Sequence, residues 1–257
     1  MPVRRKGKKM LILGGSGGGG GYHADAVHFD GSTYISTGSL TAANNAFFSF
    51  SFWTKAEDNA DIVYVSDPSG SYNNYGEIAT GAFPDSVTNF FLGDGTSQLL
   101  TATDNYDESL WTHFIGSFDV GHDGNNKVGV IYINDVFHVS GGSGGSGPAF
   151  NLAFNALPFF LGDDGFGDPF IGDMADVRIM PGVSLLDGGG DIPLATRRLF
   201  IDGSGKPVDP SVATATLGAP GAILFSGNAS TFATNQGTGG IFTTTGTLTN
   251  ASTSPSD

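Results

Sequence analysis

Covalent chemistry needs nucleophiles, acids and bases within reach of one another, and few residues of this chain offer that. There is no cysteine, so thiolate catalysis, disulfides and thiolate metal sites are excluded. The glutamates are Glu57, Glu77 and Glu108, each isolated from the others in sequence. Glycoside hydrolysis needs two carboxyl groups about 5–5.5 Å apart for retention or about 6.5–9.5 Å apart for inversion. The aspartates lie almost all in turn contexts, so paired catalytic carboxylates are not expected. Neither a Gly-x-Ser-x-Gly elbow nor a His-Glu-x-x-His zinc helix occurs. The run Gly14 to Gly21 lacks the Gly-Lys-Ser/Thr ending of a phosphate loop. His113 sits in a strand pattern, where packing or hydrogen bonding is the expected role. His23, His28, His122 and His138 show no ligand spacing. The expectation is a protein without enzymatic activity.

Two groups of residues keep a binding role. Calcium takes about six to eight oxygen ligands, which acidic turns can supply. Asp163, Asp164 and Asp168 form the densest such turn, with Asp67, Asn73 and Asn74 available from another loop. The alternative is that these aspartates only stabilise their own turns. Calcium is therefore the single cofactor the residues suggest. Tyr72 and Tyr75, in a polar loop, are the candidates for glycan contact. Trp53 and Trp111 lie in apolar strand runs and are expected in the core.

The elements that must position these groups are strands. Trp111, His113, Ile115 and Ser117 alternate with Thr112, Phe114 and Phe118, a period of two rich in β-branched and aromatic residues. Val128 to Ile133 is apolar nearly throughout, as in a strand covered on both sides. Asn134-Asp135 then marks a tight reversal. Phe48, Phe50 and Phe52 alternate with Ser49 and Ser51, and three phenylalanines on one face would anchor a sheet. Further short strands are expected at 62–65, 88–92, 99–103 and 159–161, with a short helical or irregular piece over 192–199. No stretch sustains a 3.6-residue apolar period for three or four turns, so long helices are not expected.

Trp111-x-His113-Phe114-Ile115-Gly116-x-Phe118-Asp119 followed by Ile131-Tyr132-Ile133-Asn134 resembles the central hairpin of laminin-G-like, concanavalin A-type jelly rolls. Phe48 to Lys55 resembles an earlier core strand of that family, and Phe170 to Ile179 a late one. One departure is Ala175, where the family usually carries an acidic residue. The resemblance spans roughly residues 24 to 186 and implies an all-β jelly-roll sandwich. The family includes glucanases with closely spaced glutamates on one strand, and no Glu-x-Asp-x-x-Glu run occurs here. The organisation expected is a basic, Gly-rich arm over 1–22, the jelly roll over 23–186 and a short β-rich C-terminal extension over 187–257.

Asn228 to Gly240 and the closing Ala251 to Asp257 resemble the C-terminal region of bacteriophage virion proteins that carry the same jelly roll. That likeness implies a virion location and a structural role, as a capsid decoration, tail or fibre component. The alternative is a carbohydrate-binding adhesion module of a receptor-binding fibre or spike, calcium-dependent if the acidic turn binds the ion. A lectin unrelated to phage is third.

Charge separates the arm from the body. Of 11 basic residues, five are Arg4, Arg5, Lys6, Lys8 and Lys9, which leaves six against 25 acidic ones beyond them. The body then carries a formal charge near −19 and should repel nucleic acid and anionic membrane. The arm should dock on acidic protein surfaces, tethered by seven glycines and one serine over 14–21. Met10-Leu-Ile-Leu13 is too short for a signal-peptide core or a membrane span, and Met10 is an alternative start. Expected partners are other virion proteins through the arm, further copies of the chain as a homo-oligomer, and a host-surface glycan. Membrane and specific nucleic acid are not expected.

Overall fold

The computed structural model describes residues 21–42, 45–57, 60–65, 75–80, 89–93, 98–102, 107, 109–121, 128–141, 154–155, 158–163, 169–188 and 190–257. Among them the chain forms β1 (Val27–Asp30), β2 (Tyr34–Thr37), β3 (Phe47–Ala56), β4 (Ala60–Val65), β5 (Tyr75–Thr80), β6 (Asn89–Gly93) and β7 (Gln98–Ala102). There follow β8 (Thr112–Asp119), β9 (Val128–Ile133), β10 (Val136–Gly141), β11 (Phe159–Leu161) and β12 (Ile171–Pro181). The C-terminal region adds α1 (Leu194–Arg197), α2 (Pro210–Leu217), β13 (Ile223–Phe225), β14 (Thr243–Thr245) and β15 (Thr249–Asn250).

These strands make two antiparallel sheets. One runs β10-β9-β8-β3-β12-β1-β15 with β13 also on β12, and the other runs β14-β2-β11-β4-β5-β6-β7. This is the all-β laminin-G-like, concanavalin A-like jelly-roll sandwich that the resemblance implies. Phe48, Phe50 and Phe52 of β3 face the other sheet with Phe114 and Phe118 of β8, all buried in one core with Ile35, Phe159 and Leu161. The rings of Phe50 and Phe52 stack at 5.6 Å, and those of Phe52 and Phe114 at 5.3 Å. The β9–β10 reversal is a two-residue turn with φ of 49° at Asn134 and 65° at Asp135. That geometry matches the twist of the strands it joins, and Asn and Asp adopt it at least cost.

The opposite face of the first sheet is also covered, by the chain beyond β12. Ile115, Val130 and Tyr132 pack against Leu185, Ile192, Phe200 and Ala213, which explains the apolar run of β9. The serines on this face are buried but satisfied. Ser49 Oγ lies 2.9 Å from Ser117 Oγ and donates to the Val183 carbonyl at 2.7 Å, while the Leu185 amide donates to Ser117 Oγ at 3.0 Å. Arg197 fastens α1 over the hairpin turn. Its guanidinium stands 3.8 Å from the Tyr132 ring centre and pairs with Asp135 at 2.9 Å. Helix α2 is absent from the reading of the sequence. It is set by local signals: the Asp209 side chain accepts from the Ser211 amide, Pro210 opens the first turn, and Gly218 closes the helix at φ 80°.

Candidate functional site

The two ends of the described chain meet beside β1. Thr249 and Asn250 of β15 pair with His28 and Val27, and the Ala251 amide donates to the Ala26 carbonyl at 3.0 Å. Beyond them Ser254 and Asp257 close a turn, the Ser254 amide donating to Asp257 Oδ2 at 2.7 Å. The Ala24 amide donates to Ser256 Oγ at 2.9 Å, tying that turn back to the segment before β1. A third segment joins through Asn250, whose Oδ1 accepts the Ala229 amide at 2.8 Å. Asn228 caps its own turn, with Oδ1 accepting from the Ser230 amide at 3.0 Å and the Ser230 hydroxyl at 2.6 Å.

Between these segments lies an open cleft of about 300 Å³. One wall is His23 and Asp25, another is Asn228, and the third is Asn250 to Ser254 with Asp257. Both asparagines commit Oδ1 to the fold, so their Nδ2 groups are the donors they can still offer. Asp257 is exposed, and the Ser254 amide, aided by nearby His23 and Lys206, holds its carboxyl below the usual range. The indole Nε1 of half-buried Trp111 donates to Thr253 Oγ1 at 3.1 Å, placing a ring edge beside the same wall.

A second cleft, of about 340 Å³, opens between Tyr22, Ser226 and the start of α2. Tyr22 and Ser226 line it, and both hydroxyls donate to Asp176 Oδ1, at 2.9 and 2.7 Å. Asp176 sits in a bulge where the register of β12 against β3 slips between Ala175 and Arg178, and its φ is 49°. At this point β12 exchanges β1 for β13 as its second neighbour. Asp176 is buried, and among the described residues its Oδ2 has no hydrogen-bond partner. Burial is the main cause, with Asp209 adding repulsion, that pushes its carboxyl up to about 6 against the pull of the Ser226 and Tyr22 hydroxyls. Arg178, two residues on and buried, donates through Nη2 to the Pro210 carbonyl at 2.6 Å and to Thr214 Oγ1 at 2.9 Å.

Residues 29–184, more than half of the chain, match the family model described as the concanavalin A-like lectin/glucanases superfamily. The chain belongs to that superfamily. A search of curated proteins finds no match. Among solved structures, this concanavalin A-like domain is similar to the LG1-3 region of the laminin alpha2 chain, at 16% identity and a TM-score of 0.48. That likeness covers 64% of this chain and 32% of the laminin chain. It is similar to the SAP-like pentraxin of Limulus polyphemus at 12% identity and a TM-score of 0.45, covering 62% and 76%. It is also similar to the CBM40 of the Ruminococcus gnavus IT-sialidase bound to alpha2,3 sialyllactose, at 12% identity and a TM-score of 0.42, covering 62% and 90%.

Most of the residues singled out from the sequence lie outside the described part of the concanavalin A-like domain. Arg4, Arg5, Lys6, Lys8 and Lys9 lie outside the described residues, as do Tyr72, Asp164, Asp168, Asp67, Asn73 and Asn74. Tyr75 opens β5, where the backbone alone is described. Asp163 follows β11 and is half-buried. No group of three or more metal-ligating side chains occurs among the described residues. Trp53 is buried as expected, whereas Trp111 is half-buried, packed against the cluster of Ala24, Ala26 and Trp53 and hydrogen-bonded to Thr253.

His113 has the packed role its strand position suggests. It is fully buried, its Nε2 lies 2.9 Å from Ser51 Oγ, and its ring lies 4.8 Å from that of Trp53. Burial pushes it down to about 3, so it is neutral at ordinary pH. With Ser51 also buried, this serine–histidine contact has no access to a substrate. The first cleft escaped the sequence reading, although one signal points to it. The tetrapeptide Asn-Ala-Ser-Thr occurs twice, at 228–231 and 250–253, and both copies contribute to its walls.

Proposed function

We propose that this concanavalin A-like domain is a non-catalytic glycan-binding module of an adhesion protein, with the cleft between Asn228, Asn250 and Asp257 as its sugar site. The observation that carries this reading is the lining of that cleft. Amide donors, carboxylate acceptors and hydroxyls that do both stand around one open depression. A sugar hydroxyl donates and accepts at once, so a wall that mixes the two satisfies it in either sense. The carboxyl of Asp257, held low, is unsuited to act as a general acid, which needs its pKa raised. The family name is consistent with sugar recognition.

The test is binding of the purified protein to a glycan panel, followed by Asn250→Ala and Thr253→Ala. Each replacement should weaken the best ligand by tenfold or so, since a lost hydrogen bond in a binding site costs about 1–2 kcal/mol. Unchanged affinity in both variants would move the site elsewhere. Hydrolysis of any bound glycan would replace the module with an enzyme.

A structural role in a virion is the second reading, favoured by the five basic residues within the first nine. It predicts that deletion of residues 1–13 abolishes incorporation into particles and leaves glycan binding intact. Calcium at Asp163, Asp164 and Asp168 is a separate proposal. It predicts a melting temperature that falls on chelation and stops responding once Asp163 and Asp164 are replaced by alanine.

A further inference from the structure

We infer that the Asn228–Asn250–Asp257 cleft selects neutral glycans and rejects anionic ones. This rests on the glycan-binding reading and adds the class of sugar. The lining carries two carboxylates, Asp25 and Asp257, both exposed to an incoming ligand. Its one basic side chain, His23, is already engaged, with Nε2 3.5 Å from Asp257 Oδ1. The neighbouring ammonium of Lys206 donates to the Asp257 backbone carbonyl. Binding of sialic acid, uronic acids or sulfate is built on arginine or lysine donors paired with the anion. No arginine or lysine lines this cleft.

What the walls do provide fits uncharged hydroxyls and acetamido groups. The Nδ2 groups of Asn228 and Asn250 donate, the carboxylates accept, and Ser252 and Thr253 do either. An anionic group in the same place would confront two carboxylates, with the nearest cation, Lys206, already bound to the main-chain oxygen of Asp257. Near the surface such a contact costs a factor of about three to ten in affinity per carboxylate at low salt. Specificity of this kind comes from the unfavourable contact as much as from the favourable ones.

The experiment uses the full chain and a matched pair of oligosaccharide series. The first series is neutral, and the second is the same backbones carrying terminal sialic acid or sulfate. Affinities are measured at low salt and at about 0.5 M salt, where the screening length falls to a few ångströms. The neutral series should bind at least tenfold tighter at low salt, and the gap should shrink at high salt. In the double variant Asp25→Asn and Asp257→Asn the gap should close by tenfold or more, its melting curve confirming the fold. Equal or tighter binding of the anionic series to the natural chain overturns the selectivity while leaving glycan binding in place. A gap unchanged in the double variant assigns it to the charge of the whole body and overturns the role of these two residues. Binding of neither series overturns the glycan-binding reading, and the selectivity with it.

Discussion

Replacing Asp176 by asparagine should stabilise the protein at neutral and alkaline pH, with no gain in acid. The backbone at Asp176 has φ 49°, a conformation that asparagine tolerates as well as any residue with a side chain. The asparagine Oδ1 can accept the Tyr22 and Ser226 hydroxyls as the carboxylate does. What disappears is a charge held in a buried site. With the carboxyl raised from 3.8 to about 6 by burial, the ionised form is disfavoured in the folded state by about 3 kcal/mol, at 1.36 kcal/mol per unit. The sign follows from linkage. A carboxyl whose folded value is raised contributes most below the unfolded value near 4, and the contribution is lost as pH rises through about 6. His113 acts the other way, because its depressed value near 3 favours the folded state above about 6.5 and less so below. The natural protein alone therefore shows a mixed profile, and the difference between it and Asp176→Asn isolates Asp176. Urea unfolding of both at several pH values should give a variant about 3 kcal/mol more stable at pH 8, with the gap narrowing to near zero by pH 4. A gap independent of pH, or a variant less stable at pH 8, would refute the assignment of a strained, buried charge to this bulge.

Other substitutions test the packing and the anchors. Gly116→Ala would place a methyl 2.5 Å from the Phe50 ring, so chemical denaturation should show a loss of about 1–3 kcal/mol from overpacking. Arg197→Lys keeps the charge beside Asp135 but loses the planar stack on Tyr132. A loss of about 1 kcal/mol and faster amide exchange over α1 are expected. His113→Phe should flatten the fall in stability between pH 6.5 and pH 4, seen as a smaller slope of unfolding free energy against pH.

The strands were legible where the pattern is local. Phe48, Phe50 and Phe52 on one face, the Asn134-Asp135 reversal and the apolar β9 all read correctly, because period and turn chemistry act within a few residues. The bulge at Asp176 was missed, although the alternation from Asp173 to Arg178 breaks at Met174-Ala175, just where the register of β12 slips. Ser49 and Ser51 were legible only as the positions alternating with the phenylalanines, and their burial is set by distant chain: Ser49 Oγ donates to the Val183 carbonyl and Ser51 Oγ lies against His113 Nε2. The candidate site was hidden for the same reason. Its walls come from residues 23–25, 228 and 250–257, united by a two-residue strand too short to show a period. The repeated Asn-Ala-Ser-Thr was the one local trace of it. Helix α2 was legible in principle, from Asp209-Pro210 at its start and Gly218 at its end.

The two ends of the described chain would together build the proposed sugar site. Titrating the isotope-labelled protein with its best neutral glycan, and following backbone amide resonances, tests this most directly. Saturable shifts confined to the amides of Asp25, Asn228, Asn250, Ser252, Thr253 and their neighbours are expected. Shifts centred on another face of the sandwich, or none with any glycan, would contradict it.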